Sequence, residues 1–143
     1  VFFLVKPDQN REVAPLDTEK TRAFYSQLSG KDICGCAYCQ NYVRQIRAAY
    51  PEAADYLSRL GVDVEKPLET MPLEPDETGQ LEYAGPQYIV CGTPEGFTET
   101  QIGSVRIEIA ASHPATGVEE PNFVIELYPI RLKWRAQHRK KTM

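Results

Sequence analysis

The stretch CQNYVRQIRAAYPEAADYLSRLG, residues 39–61, decides the reading of the fold. Tyr42, Val43, Ile46 and Ala49 recur at helical spacing, while Arg44, Gln45 and Arg47 take the opposite face. Pro51 breaks that helix and suits the first turn of another. Glu52 follows it, where a carboxylate complements the positive end of the helix dipole. Ala53, Tyr56, Leu57 and Leu60 form the second apolar face, and Gly61 is a natural residue just past a helix end. The two helices make an αα unit with almost no linker. Tyr38, Tyr42, Tyr50 and Tyr56 are read as a helix–helix interface with hydroxyls at its rim.

Upstream, Asp17 to Gly30 has a helical outline, with Asp17 or Thr18 as N-cap and Gly30 beyond the end. The β-formers between Thr21 and Ser26 leave a short strand as the alternative. Pro7 to Pro15 reads as a loop. Val1 to Val5 reads as a strand or arm, too short for a secretory apolar core and with no basic residues before it.

Downstream the texture changes to strands. Leu68 to Leu73 reads as an edge strand because of Pro72. Residues 74–79 read as a turn, and Leu81 to Cys91 as the returning strand, bulged or kinked at Gly85-Pro86. Gly92 to Gly103 and Ser112 to Pro121 read as polar loops. Val105, Ile107 and Ile109 alternate with Arg106 and Glu108, and Asn122 to Trp134 alternates again, with a kink expected at Pro129. Helices first, then about four strands on short links, give an α+β domain: N-terminal helices packed on an antiparallel meander sheet. The expected boundaries are one domain over residues 1–134 and a basic, disordered tail over 135–143.

Size agrees with one domain. A chain of 143 residues and 16.2 kDa hides about 68% of its surface on folding, enough for one core. Apolar residues are 42% and charged residues 25%, ordinary globular values. No run approaches the ~18 apolar residues of a membrane span. Net charge is −4, unevenly placed: the last 13 residues hold six Lys or Arg and no acid, so the other 130 carry −10. Such an acidic body repels phosphates, which argues against nucleic acid. The tail suits an acidic partner or the protein's own acidic body. The sequence names no partner; a protein partner or a second copy is a candidate.

Three of the four cysteines lie within six residues, Cys34-Gly35-Cys36-Ala37-Tyr38-Cys39, at the start of the predicted helix. A helix N-terminus offers unpaired N–H groups and a positive dipole, and both favour thiolates. Gly35 is expected to allow the tight turn that brings Cys34 round. In a reducing cytosol this clustering points to a metal or to redox thiols before structural bridges. Zinc takes four ligands, with Zn–S near ~2.3 Å. The candidate set is Cys34, Cys36, Cys39 and Cys91, with His113 or a water as the alternative fourth. The rival reading is a redox pair, Cys36 with Cys39, and Cys34 as resolving thiol. An iron–sulfur cluster on the same four cysteines is a further alternative, although its usual spacings differ. So are cysteines simply packed in the core. Glu74, Asp76 and Glu77 lack the ligand alternation of a calcium loop. Ser112-His113 lacks the turn of a hydrolase nucleophile, and phosphate-binding glycine patterns are absent.

Residues 34–42 (CGCAYCQNY), then Tyr50-Pro51, Leu60-Gly61-Val62-Asp63, Lys66-Pro67-Leu68-Glu69, Tyr88-Ile89-Val90-Cys91-Gly92 and Phe123-Val124-Ile125-Glu126 resemble an uncharacterised family of small proteins from anaerobic, Firmicutes-type bacteria. The likeness spans about Phe24 to Trp134, and the cysteine segment is its most specific part. Lys133 stands before Trp134 where such sequences carry a proline. The resemblance implies bacterial origin and cytoplasmic residence, and carries no assigned activity. The sequence therefore leads to a non-catalytic protein with a structural zinc at its cysteines and a binding role. The alternative is a thiol-disulfide oxidoreductase or redox sensor.

Overall fold

The computed structural model describes residues 16–135. The expected Val1–Val5 strand, the Pro7–Pro15 loop and all of the tail beyond Arg135 lie outside the described residues. Among these residues three helices come first: α1 (Thr18–Gln27), α2 (Ala37–Ala49) and α3 (Pro51–Arg59), with a 3-10 turn at Gly30–Asp32 between the first two. Six strands follow among them: β1 (Gln80–Tyr83), β2 (Gln87–Cys91), β3 (Thr100–Ile102), β4 (Val105–Ile109), β5 (Asn122–Tyr128) and β6 (Ile130–Lys133). The protein is α+β. Among the described residues the strand pairs are antiparallel, in a four-stranded sheet ordered β2-β5-β4-β3 and a two-stranded sheet β1-β6.

The helix ends obey their sequence signals. Asp17 caps α1 by accepting from the Lys20 N–H. Tyr50 both ends α2 and precedes Pro51, the first residue of α3. Past α3, the Gly61 N–H donates to Ser58 O and the Val62 N–H to Leu57 O. That pair of bonds is the Schellman closure, and it needs the positive φ of +91° that Gly61 adopts. Gly30 is not a helix terminator, because α1 already ends at Gln27 and Gly30 opens the 3-10 turn.

The strands differ more. Leu81 to Cys91 is not one strand: Gly85-Pro86 separates β1 from β2, and each joins a different sheet. Asn122 to Trp134 divides likewise at Pro129, after a cis Tyr128–Pro129 bond, so β5 and β6 also part company. Two sheets thus come from two long β segments, each split once. The meander holds for β3, β4 and β5, while β2 joins the far side of β5 rather than the side of β3. Leu68 to Leu73 makes only isolated bridges, Glu69 to Gln87 and Pro72 to Tyr83. The Gly92–Gly103 stretch is no plain loop, since it contains a 3-10 turn and β3.

The core lies between helices and sheets. Tyr42, Ile46 and Leu57 pack with Tyr88, Val105, Ile107, Ile125 and Leu127, all fully buried. Tyr42 and Tyr50 join helix to sheet rather than helix to helix. Tyr42 and Tyr88 share a hydroxyl hydrogen bond, and Tyr88 donates on to Val64 O. Tyr38 stacks on Trp134 at 4.8 Å. These bonds let large aromatic rings be buried without leaving a hydroxyl unpaired.

Candidate metal centre

The segment before α2 is folded locally. Ser29 and Asp32 form a reciprocal capping box around the 3-10 turn. Ile33 to Gly35 then leads into Cys36, the N-cap of α2, whose Sγ accepts the Cys39 N–H at 3.4 Å. The Cys36 N–H in turn reaches Cys34 Sγ at 3.5 Å. Gln40 Nε2 donates to Cys34 O at 2.9 Å, tying the loop back to the helix. Gly35 has open space where a Cβ would stand and no positive φ. The turn therefore does not depend on glycine's conformational freedom, contrary to the sequence expectation.

The result is a group of three sulfurs. Cys34, Cys36 and Cys39 Sγ all lie within 4.8 Å of one another, the first two exposed and the third buried. Tetrahedral zinc with ~2.3 Å bonds sets its sulfurs about 3.8 Å apart. Closing the gap needs shifts on the order of 1 Å, which the exposed Cys34 and Cys36 side chains can supply by rotation. Three close, turn-linked cysteines thus could hold a metal ion.

Electrostatics distinguish the thiols. At Cys36, desolvation opposes ionisation, but the Cys39 N–H, contacts with the Cys34 and Cys39 thiols and the Tyr38 backbone outweigh it. Its thiol is held below the ordinary range. Burial pushes the Cys39 thiol up to about 12, only partly offset by the Thr70 hydroxyl and reinforced by the neighbouring thiols. Thr70 is itself buried, with Oγ1 3.3 Å from Cys39 Sγ. Bound metal would reverse that balance, since a coordinated thiol is deprotonated.

The other candidates stand elsewhere. Cys91 is buried at the end of β2, its N–H bonded to Thr21 Oγ1 and its C=O to the Asp17 N–H. Burial raises its thiol. His113 is exposed in the loop after β4, with Nδ1 2.7 Å from Pro114 O. Among the described residues, neither joins the three-sulfur group. The acidic tip is also accounted for: Asp76 Oδ1 accepts from Thr78 and from the Gln80 N–H, and Oδ2 pairs with Arg131. Gln40 and Thr70 escaped the sequence reading. Gln40 lies inside the motif and could have been found there. Thr70 is 31 residues from Cys39 and gives no local signal. No described helix is long and apolar enough to cross a membrane. No family model, no curated protein and no solved structure matches the chain.

Proposed function

We propose that Cys34, Cys36 and Cys39 hold a zinc ion that fastens the Ile33–Cys36 turn to the first turn of α2, in a non-catalytic protein whose role is binding. The observation that carries this reading is the grouping of three sulfurs at one helix N-terminus. Water or a ligand from outside the described residues completes the tetrahedron. Soft thiolates favour zinc among the common hard and borderline divalent ions. The resemblance of the cysteine segment supports a bacterial, cytoplasmic setting, where unpaired thiols persist.

Metal that binds only the folded state raises stability. Zinc should therefore raise the urea midpoint of the wild-type protein above its chelated value and leave Cys36→Ser unchanged. Equal midpoints for wild type with zinc and with chelator would overturn a structural role.

A second reading rests on the exposure of Cys34 and Cys36 beside Cys39. Cys36 attacks a substrate disulfide and Cys39, its partner in the pair, displaces the substrate from the mixed disulfide, with the exposed Cys34 as the thiol that resolves the Cys36–Cys39 bond. The cysteine pair is oxidised to a disulfide as the substrate is reduced to two thiols. A mass loss of two protons on incubation with an oxidised disulfide, absent in Cys39→Ser, would favour this reading over zinc.

A further inference from the structure

We propose that a groove between α2 and β6 docks an acidic, extended segment of a partner protein. The groove has a volume of about 580 Å³, with Arg44, Ala48 and Ala49 on its helical wall, Arg131 and Lys133 on β6, and Arg135 two residues past the strand's end. Among the described residues, no carboxylate lines it. Exposure alternates along β6 and the two residues after it: Arg131, Lys133 and Arg135 are exposed while Leu132 is buried. Asp76 and Glu82 neutralise Arg131. Among the described residues, Arg44, Lys133 and Arg135 have no ion-pair partner. Three cations without an ion-pair partner among the described residues therefore share one cleft in a protein of net charge −4.

Their spacing selects the occupant. Alternate residues on an extended chain stand about 6.6 Å apart, so carboxylates at alternate positions of an extended peptide match the period of Lys133 and Arg135. Ala48 and Ala49 end at Cβ and leave room for a peptide backbone. Strand addition is not the mode. The β6 edge is closed: Asn41 and Gln45 donate to Lys133 O, and Tyr50 serves both polar groups of Arg131. Recognition is by side-chain ion pairs, which are salt-dependent. The cleft is only a few residues long and residues 1–130 carry a net −10, so a long phosphate backbone running over that body would meet repulsive charge.

The test uses the full 143-residue chain and fluorescence anisotropy with a labelled peptide of alternating glutamate and serine. Binding should weaken about two- to fivefold for Arg44→Ala, Lys133→Ala or Arg135→Ala singly, and at least about tenfold for the triple variant. Arg59→Ala, on α3 outside the groove, should change nothing. A peptide of the same composition with its glutamates in one block should bind more weakly. Absence of binding at low salt, or binding insensitive to the triple variant, would overturn the proposal. So would equal binding of the block peptide, loss only on neutralising Arg139, Lys140 and Lys141, or tighter binding of a thymidine oligonucleotide of equal charge.

Discussion

Helices α1 and α2 each close the open edge of a sheet, and they do so with different residues and different depths of burial. Along α1, Thr21 and Tyr25 are four residues apart, about 6.0 Å of helix rise. Along β2, Cys91 and Ile89 are two apart, about 6.6 Å. The two repeats match. Thr21 Oγ1 accepts the Cys91 N–H, and Tyr25 Oη both accepts the Ile89 N–H and donates to Ile89 O. Both side chains are buried, so the β2 edge is sealed against water and against another strand. Along β6 the same device recurs from α2, with Tyr50 on Arg131 and Asn41 with Gln45 on Lys133. Here Gln45 and Tyr50 are half-exposed, and the seal runs beside a cationic cleft. Helix α1 is committed to the fold. Helix α2 seals an edge with its middle and presents thiols at its start. Chemistry concentrates on the helix with groups left uncommitted.

The sharpest way to test that division is within α2 itself. In metal-free protein, iodoacetamide at neutral pH should label Cys36 at least about a thousandfold faster than Cys39, by peptide mapping. Even a thiol at its ordinary value and one near 12 differ that much in thiolate fraction; Cys36 lies lower still, and burial slows Cys39 further. The sign for stability follows from the lowered Cys36 value. Its contribution is present above the unfolded thiol's ordinary value, near 9, and is lost as pH falls through the folded one.

Next comes the packing of α1. A Cβ on Gly61 would stand 2.5 Å from Thr18 O and 3.0 Å from the Arg22 N, on a backbone at φ +91°. Gly61→Ala should cost about 3 kcal/mol, read from urea unfolding. Tyr25→Phe strands both polar groups of Ile89 in a buried site and should cost about 2 kcal/mol. Tyr50→Phe removes the corresponding hydroxyl on β6, where water can replace it, and should cost about 0.5 kcal/mol. Equal losses for the two tyrosines would break the comparison. Gly35→Ala should change stability by less than about 0.5 kcal/mol, because nothing meets its Cβ.

What was legible in the sequence follows the range of each interaction. The Tyr50-Pro51 junction, the Asp17 cap and the Gly61 closure are local, and periodicity with capping chemistry finds them. The split of Leu81–Cys91 into two sheets is not local. Gly85-Pro86 marks a break, but only pairing with residues such as Glu126 and Lys133 shows that the halves separate. The edge seals were invisible for the same reason. Tyr25 meets Ile89 across 64 residues and Asn41 meets Lys133 across 92, and their residue types look like ordinary helix surface. The three clustered cysteines were legible because their spacing is short. Residues contributed from a distance, such as Thr70, were not.

The central claim is that the group at the start of α2 binds one metal ion. Native mass spectrometry of the protein purified without chelator, beside Cys34→Ser and Cys36→Ser, tests it most directly. Both substituted positions are exposed, so the variants should fold. The account predicts one zinc per wild-type chain, and loss of that zinc in both variants. Wild-type protein without metal, or variants that keep a full zinc equivalent, would contradict it.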